Sequence, residues 1–297
     1  MLVNMKEMLA DAARGGYAVG GFNCASLESA MAAVRASEEL GMPFILQHTP
    51  AHEQYLPLAV AGPIMLQLAR AAKTPVAVHL DQGASVAHCL HALAMGFPSV
   101  MFDGSGLSFD ENAAATAQIA KTAHELGATV EAELGAMPCN FRGELGDYTP
   151  EDFYTRPEEA AAFAERTGVD ALAISFGTVH GIYKTTPKLS YDVVSRVRDA
   201  TDGLPLVMHG GSGLTDEDYR EVIARGIRKV NYYTYGALAG GRAVYDIVRQ
   251  KPDGLQFHDV AVAATDAIAD DIKRVMKVIS AGRLHPPCRE CHEAAVA

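Results

Sequence analysis

No stretch of this 297-residue chain stays apolar long enough to cross a membrane, although hydrophobic residues make up 49% of it; a spanning helix needs about 20. The N-terminus, MLVNMKEMLADAARGG, is amphipathic but has no apolar core followed by a small-residue cleavage site. No signal peptide is therefore expected, and the expected location is cytoplasmic. Positive charge is also in short supply, since 25 Lys and Arg face 36 Asp and Glu for a formal net charge of −11. That balance argues against a nucleic-acid partner, because phosphate backbones are bound by basic surfaces. A small anionic substrate stays compatible with it, because one pocket can be locally positive. Of five cysteines, Cys24, Cys89 and Cys139 are scattered and only Cys288 and Cys291 lie close together, which is not the spacing of a disulfide framework.

Short apolar runs suited to buried parallel strands are abundant, at residues 18–22, 43–47, 75–80, 98–102, 128–133, 170–175, 204–209 and 227–232. Between them lie Ala-rich stretches of helical spacing, such as LESAMAAVRASEELG and ENAAATAQIAKTAHELG, most closing on a glycine. Eight strands alternating with helices predict a (β/α)8 TIM barrel with an additional C-terminal helix near residues 260–281. The barrel is expected to span 1–281 as a single domain, with an irregular tail over 282–297. Loops 135–156 and 175–190 follow strands, which places them on the C-terminal face where barrel enzymes keep their chemistry. The first is long enough to serve as a lid.

Polar residues at strand ends are aimed at the barrel mouth: Gln47, His48, Asp81, Gln82, Asp103, Glu133, His180, His209 and Asn231. Two histidines, His180 and His209, converging with a carboxylate predict a Zn²⁺ site, although either alone is more often a hydrogen-bonded core residue. Gly181 and Lys184 follow His180, and Gly210-Gly211-Ser212-Gly213 follows His209 into TDEDYREVIARG. A glycine-rich turn at a helix start offers backbone N–H groups to a phosphate, with Lys184 supplying charge. The competing reading is that Thr215 and Asp218 merely cap that helix.

The motifs AVGGFN, VHLDQG, SVMFDGS, VEAELG, FGTVHGIYK, PLVMHGGSGL and KVNYYT, in this order over nearly the whole chain, resemble the zinc-dependent class II ketose-bisphosphate aldolases, which include fructose- and tagatose-bisphosphate aldolases. The resemblance implies reversible cleavage of a phosphorylated ketose to dihydroxyacetone phosphate and an aldehyde through a metal-stabilised enediolate, in carbohydrate catabolism, by a homodimer or homotetramer. It makes His180 and His209 zinc ligands and Asp81 the group that exchanges a proton with the oxygen where the carbon bond breaks. Gly181, Lys184, Gly210, Ser212, Asn231 and Thr234 match positions holding the dihydroxyacetone-phosphate half. Asp103 and Glu133 match carboxylates that line the metal and can contact it or a monovalent cation. The loop acid that moves the carbon-bound proton falls to Glu144 ahead of Asp147. No lysine at a strand end offers a Schiff-base route instead.

One departure stands out, because the family carries a third zinc-binding histidine after the catalytic aspartate and this chain has Gln82. A neutral amide oxygen is a poorer partner for zinc than imidazole. Three arrangements stay open: Gln82 or Glu133 completes an altered site, His48 supplies the missing imidazole, or the metal is lost. Tyr232 and Tyr233 stand where the family has smaller or acidic residues, which points to a specialised aldolase. The competing functions are a metal-depleted sugar-phosphate binder and an isomerase or epimerase on the same scaffold. The tail segment CRECH matches the C-x-x-C-H haem pattern, but haem attachment needs export; a labile metal site with His285 or an unstructured tail are the other readings.

Overall fold

A computed structural model describes residues 1–140, 149–184, 186–251 and 253–283. In chain order its elements are α1 (Met5–Gly15), β1 (Val19–Asn23), α2 (Leu27–Leu40), β2 (Phe44–His48), α3 (Leu58–Ala71), β3 (Val76–Gly83), α4 (Val86–Ala94), β4 (Ser99–Phe102), α5 (Phe109–Glu125), β5 (Thr129–Leu134) and β6 (Cys139–Asn140). There follow α6 (Pro157–Thr167), β7 (Ala171–Ile174), β8 (His180–Gly181), α7 (Tyr191–Ala200), β9 (Leu206–Met208), α8 (Asp216–Arg225), β10 (Ile227–Tyr232), α9 (Thr234–Gln250) and α10 (Phe257–Ile279). Parallel strands close into a barrel in the order β1-β10-β9-β7-β5-β4-β3-β2, while β6 and β8 form a separate two-stranded ladder that pairs Cys139 with His180. All eight expected runs supply the barrel strands. The first runs one residue further than expected and carries Asn23 at its end.

Strand periodicity sorts the side chains into two sets. Val76, Val78, Leu80, Leu172, Leu206 and Met208 join the large core beneath the helices. The alternate set points inward in layers. At the bottom, Val19, Ile45, Ala77, Ala171 and Val207 meet Met5, Met8, Leu9 and Ala12 of α1, which closes that end of the barrel. Above them the inward positions turn polar, with His79, Glu131 and Lys229 all fully buried. Gly21 makes room for the top layer, since a Cβ there would meet Gln47 Oε1 at 2.1 Å and Asn231 Oδ1 at 2.9 Å. Gly21→Ala is expected to lower stability by about 1–3 kcal/mol, the range for overpacking a filled core, and thermal unfolding of the purified variant checks it.

Helix α10 begins three residues before the expected start and packs on α9 and α2. Residues 284–297, with the CRECH segment, lie outside the described residues. Among the described residues no helix is long and apolar enough to cross a membrane.

Candidate active site

Strict alternation would send Asp81 and Gln82 to opposite faces of β3. The pairing of β3 with β4 instead slips between Leu80 and Gly83, and Gln82 takes the left-handed backbone at φ +52°. A bulge of this kind re-aims side chains. Asp81 and Gln82 consequently line the same cavity. A non-glycine residue held in the left-handed region is characteristic of functional sites, where surrounding structure maintains the strain. Gly83 is required next, because a Cβ there would meet the Met101 carbonyl oxygen at 2.5 Å.

Asp81 is held by two amides: Asn23 donates to Oδ2 at 2.7 Å and Asn231 donates to Oδ1 at 3.0 Å. Gln47 in turn donates to Asn23 Oδ1 at 3.2 Å. Burial opposes ionisation of Asp81, but His209 and Lys229 outweigh it and hold the carboxyl below its ordinary range. Asn23, which the sequence reading did not assign to the site, therefore orients the aspartate.

His209 is fully buried at the end of β9. Its Nε2 lies 3.2 Å from Glu131 Oε1, in hydrogen-bond contact, and its Nδ1 lies 3.0 Å from Glu133 Oε2. The second contact is out of line for a hydrogen bond, so Nδ1 and Glu133 Oε2 are buried without a hydrogen-bond partner. Burial opposes charge on this ring, but the two glutamates and Asp81 overcome it and raise its pKa to about 10. On Glu133 burial likewise disfavours the charged form, and there it prevails and raises the carboxyl pKa. The ring of His180 lies 5.5 Å from that of His209. Desolvation lowers the His180 pKa to about 4, which leaves a neutral imidazole of the kind metals bind.

Gln82 completes this corner, with its amide Nε2 3.4 Å from His180 Nε2. Turning the amide over presents Oε1 at the same place. Two imidazoles, a carboxylate oxygen and an amide oxygen form a donor set that suits Zn²⁺, and the unpartnered His209 Nδ1 is what a metal ligand looks like without its ion. Among the described residues, the group whose ligand atoms all lie within 4.8 Å of one another is His79, Asp81 and Glu131, one layer lower. There, however, Lys229 Nζ already sits 2.7 Å from Glu131 Oε2 as the cation of that group.

A cavity of about 390 Å³ opens above these residues, lined by Asp81, Gln82, His180, Gly181, Gly210, Ser212, Asn231 and Thr234 among others. Eight of the expected site residues are thus brought to one wall. The start of α8 is occupied by its own capping box, in which Thr215 and Asp218 satisfy each other, as the competing reading had it. Helix α9 differs: it begins at Thr234 with no side-chain cap, and Thr234 lines the cavity together with Gly210, Gly211 and Ser212. That helix start is the better anion site. Gly210, at φ +66°, cannot carry a side chain because a Cβ would meet the Val179 carbonyl oxygen at 2.3 Å. Tyr183 locks this turn by donating to the Gly210 carbonyl at 2.8 Å while its hydroxyl accepts from the Val179 N–H at 3.1 Å. Tyr183→Phe is expected to raise KM for a phosphorylated substrate about two- to tenfold, the equivalent of one net hydrogen bond, with a smaller effect on kcat in steady-state assays.

Other expected residues fall elsewhere. His48 is fully buried, contacts the Leu56 carbonyl through Nε2 at 2.8 Å, and does not line the cavity. Gln47 takes the inward position beside it. Lys184 is exposed and also off the cavity wall. Asp103 caps its own loop by accepting from Ser105, although its charge still acts on Glu133 and His180. Glu144 lies outside the described residues. His52, close to His48 in the sequence and given no role there, lines the cavity with its ring 4.5 Å from that of Tyr233. Burial lowers its pKa to about 4, so it presents a neutral ring.

A family model described as "Fructose-bisphosphate aldolase class-II" matches residues 3–283. The chain is 37% identical over 282 residues to the fructose-bisphosphate aldolase of Staphylococcus aureus strain Mu50, covering 93% of this chain and 96% of that protein. It is 36% identical over 278 residues to the enzyme of the same name from Staphylococcus epidermidis strain RP62A, covering 92% and 95%. Among solved structures, the YdjI aldolase from Escherichia coli K12 superposes with a TM-score of 0.84 at 32% identity, covering 96% of this chain and 100% of that one.

Proposed function

Because the chain belongs to the class-II fructose-bisphosphate aldolase family, we propose that the cavity at the barrel mouth is its catalytic centre, with zinc held by His180 and His209 and the substrate phosphate held at the start of α9. The chain is a lyase that cleaves a phosphorylated ketose to dihydroxyacetone phosphate and an aldehyde. The observation carrying the metal assignment is His209 Nδ1, which makes no hydrogen bond, is buried against the Glu133 carboxylate and faces the same corner as His180 and Gln82. Gln82, through its amide oxygen, is the third donor in this reading, and Glu133 the fourth. When bound, zinc supplies a Lewis acid for the ketone oxygen.

The chain's own residues do the rest. Asp81, ionised and aimed by Asn23 and Asn231, takes the proton from the substrate hydroxyl as the carbon bond breaks and returns it to the aldehyde oxygen in the reverse direction. Gly210, Ser212 and Thr234 present backbone N–H groups and a hydroxyl to the phosphate. Glu144, which lies outside the described residues, is assigned the transfer of the carbon-bound proton. His52 and Tyr233 wall the cavity with neutral rings where the aldehyde fragment leaves.

The test is a panel of phosphorylated ketoses incubated with the purified protein, with dihydroxyacetone phosphate followed by its enzymatic reduction. Release of dihydroxyacetone phosphate that stops on chelation and returns with zinc supports the assignment. Conversion of one ketose to another with no triose released would instead indicate an isomerase.

A further inference from the structure

Beneath the cavity floor, Lys229, Glu131 and the neutral His79 form a buried polar group that has no part in the reaction steps and that leads to His209. Lys229 Nζ donates to Glu131 Oε2 at 2.7 Å, Glu131 Oε1 lies 3.2 Å from His209 Nε2, and His79 Nε2 approaches Glu131 Oε2 at 3.6 Å. All four side chains are fully buried. Removing a lysine and a glutamate from water costs several kcal/mol per ion, and an ion pair of this kind is often no more stabilising than an apolar pair of the same size. Its presence calls for a role beyond stability, and its position supplies one, since it ends on a ring nitrogen of His209.

An imidazole binds a metal through one nitrogen only, and which nitrogen is free is decided by the partner of the other. We propose that Glu131 and Lys229 are positioning residues for His209: the Glu131 carboxylate keeps the proton on Nε2, so that Nδ1 is the nitrogen presented to the metal, and Lys229 anchors that carboxylate in place. This inference rests on the assignment of His209 as a zinc ligand. The geometry supports it from both ends. On the Nε2 side the contact is a hydrogen bond, whereas on the Nδ1 side Glu133 is near but out of line, which leaves that nitrogen's direction to a metal. His79 packs against the glutamate from the other side, its Nε2 3.6 Å away without a hydrogen bond, and is itself fixed through Nδ1 to Ser99 Oγ at 2.7 Å. Glu131 faces Lys229 and both histidines at once, so its carboxylate cannot turn without losing one of them.

The experiment measures zinc affinity by competition with a chromophoric chelator for the wild type, His209→Ala, Glu131→Gln and the double variant Lys229→Met/Glu131→Gln. The double variant removes both buried charges together, so it keeps the fold where a lone unpaired charge could not. The wild type and His209→Ala test the ligand assignment, and the other two test the inference. The expected result is loss of stoichiometric zinc in His209→Ala and a 10- to 100-fold weaker affinity in Glu131→Gln, as for other carboxylates that support a ligating histidine. The double variant is expected to be equally weak, with circular dichroism like the wild type. A second readout is ¹⁵N NMR of the zinc-loaded protein: a protonated Nε2 on His209 is expected in both, with the shift characteristic of a carboxylate partner in the wild type and lost in Glu131→Gln. Zinc affinity within threefold of wild type in the folded double variant overturns the inference alone. A wild type that takes up no zinc, or His209→Ala that keeps it, overturns the ligand assignment and the inference with it.

Discussion

Replacing Asp81 by Asn is expected to lower kcat for aldol cleavage by about 10² to 10⁴, the usual contribution of a positioned acid or base, with zinc content unchanged. The asparagine has the same shape but cannot accept a proton from the substrate hydroxyl. It also meets two donors, because Asn23 and Asn231 both point N–H groups at this position. One oxygen can satisfy only one of them, so the new amide nitrogen faces a donor and the other amide must turn away. Asn231 also lines the cavity, and its displacement is expected to raise KM modestly as well. Steady-state kinetics with the best ketose of the panel, beside metal analysis, decides the matter. A loss smaller than tenfold would remove Asp81 from the proton transfer and leave it as a support for the floor of the cavity.

The second large effect concerns the metal. Chelation is expected to abolish cleavage and added zinc to restore it, and uptake by the metal-free protein is expected to strengthen as the pH rises. The sign follows from His209. Its pKa in the metal-free protein is raised to about 10, so below that pH the ring is an imidazolium and a proton occupies the nitrogen a metal requires. Zinc must displace that proton, whereas His180, at about 4, is already neutral and releases none. The apparent binding constant should therefore grow by about one decade per pH unit through neutral pH and level off near pH 10. Gln82→His adds an imidazole at the same corner and is expected to tighten zinc further without changing that slope. A binding constant flat from pH 6 to pH 9 would mean that zinc displaces no proton from His209, and the imidazolium expected in the metal-free protein would be overturned.

The barrel was readable from the sequence because eight buried strands and their intervening helices announce themselves by apolar runs and periodicity, and each expected run became a barrel strand. Much of the mouth followed from the same logic, since residues at strand ends are aimed by the strands themselves. Where the reading missed, the cause was local backbone. Gln47 and His48 are consecutive, so on a regular strand only one can face inward, and the buried His48 turned to the Leu56 carbonyl. Asp81 and Gln82 are also consecutive, yet both reach the cavity, because a register slip and a left-handed residue break the alternation. No composition or spacing signals such a bulge. The layer of Glu131 and Lys229 is hidden for a different reason: these charges sit mid-strand and not at strand ends. The signal was available, since VEAEL and IRKVN each place a charged residue two positions before a site residue, on the same face. Asn23 escaped because the strand runs one residue beyond its apolar run.

Helix α1 closes the lower end of the barrel, and its Met5 accepts from Ser99, the residue that also holds His79. The buried charges above it consequently have water on one side only. Every proton that reaches or leaves Glu131, Lys229 or His209 must travel through the same mouth as the sugar. Exchange of those protons with heavy water then becomes a clock for how often the mouth is open, and a sugar seated there is a stopper that stops the clock.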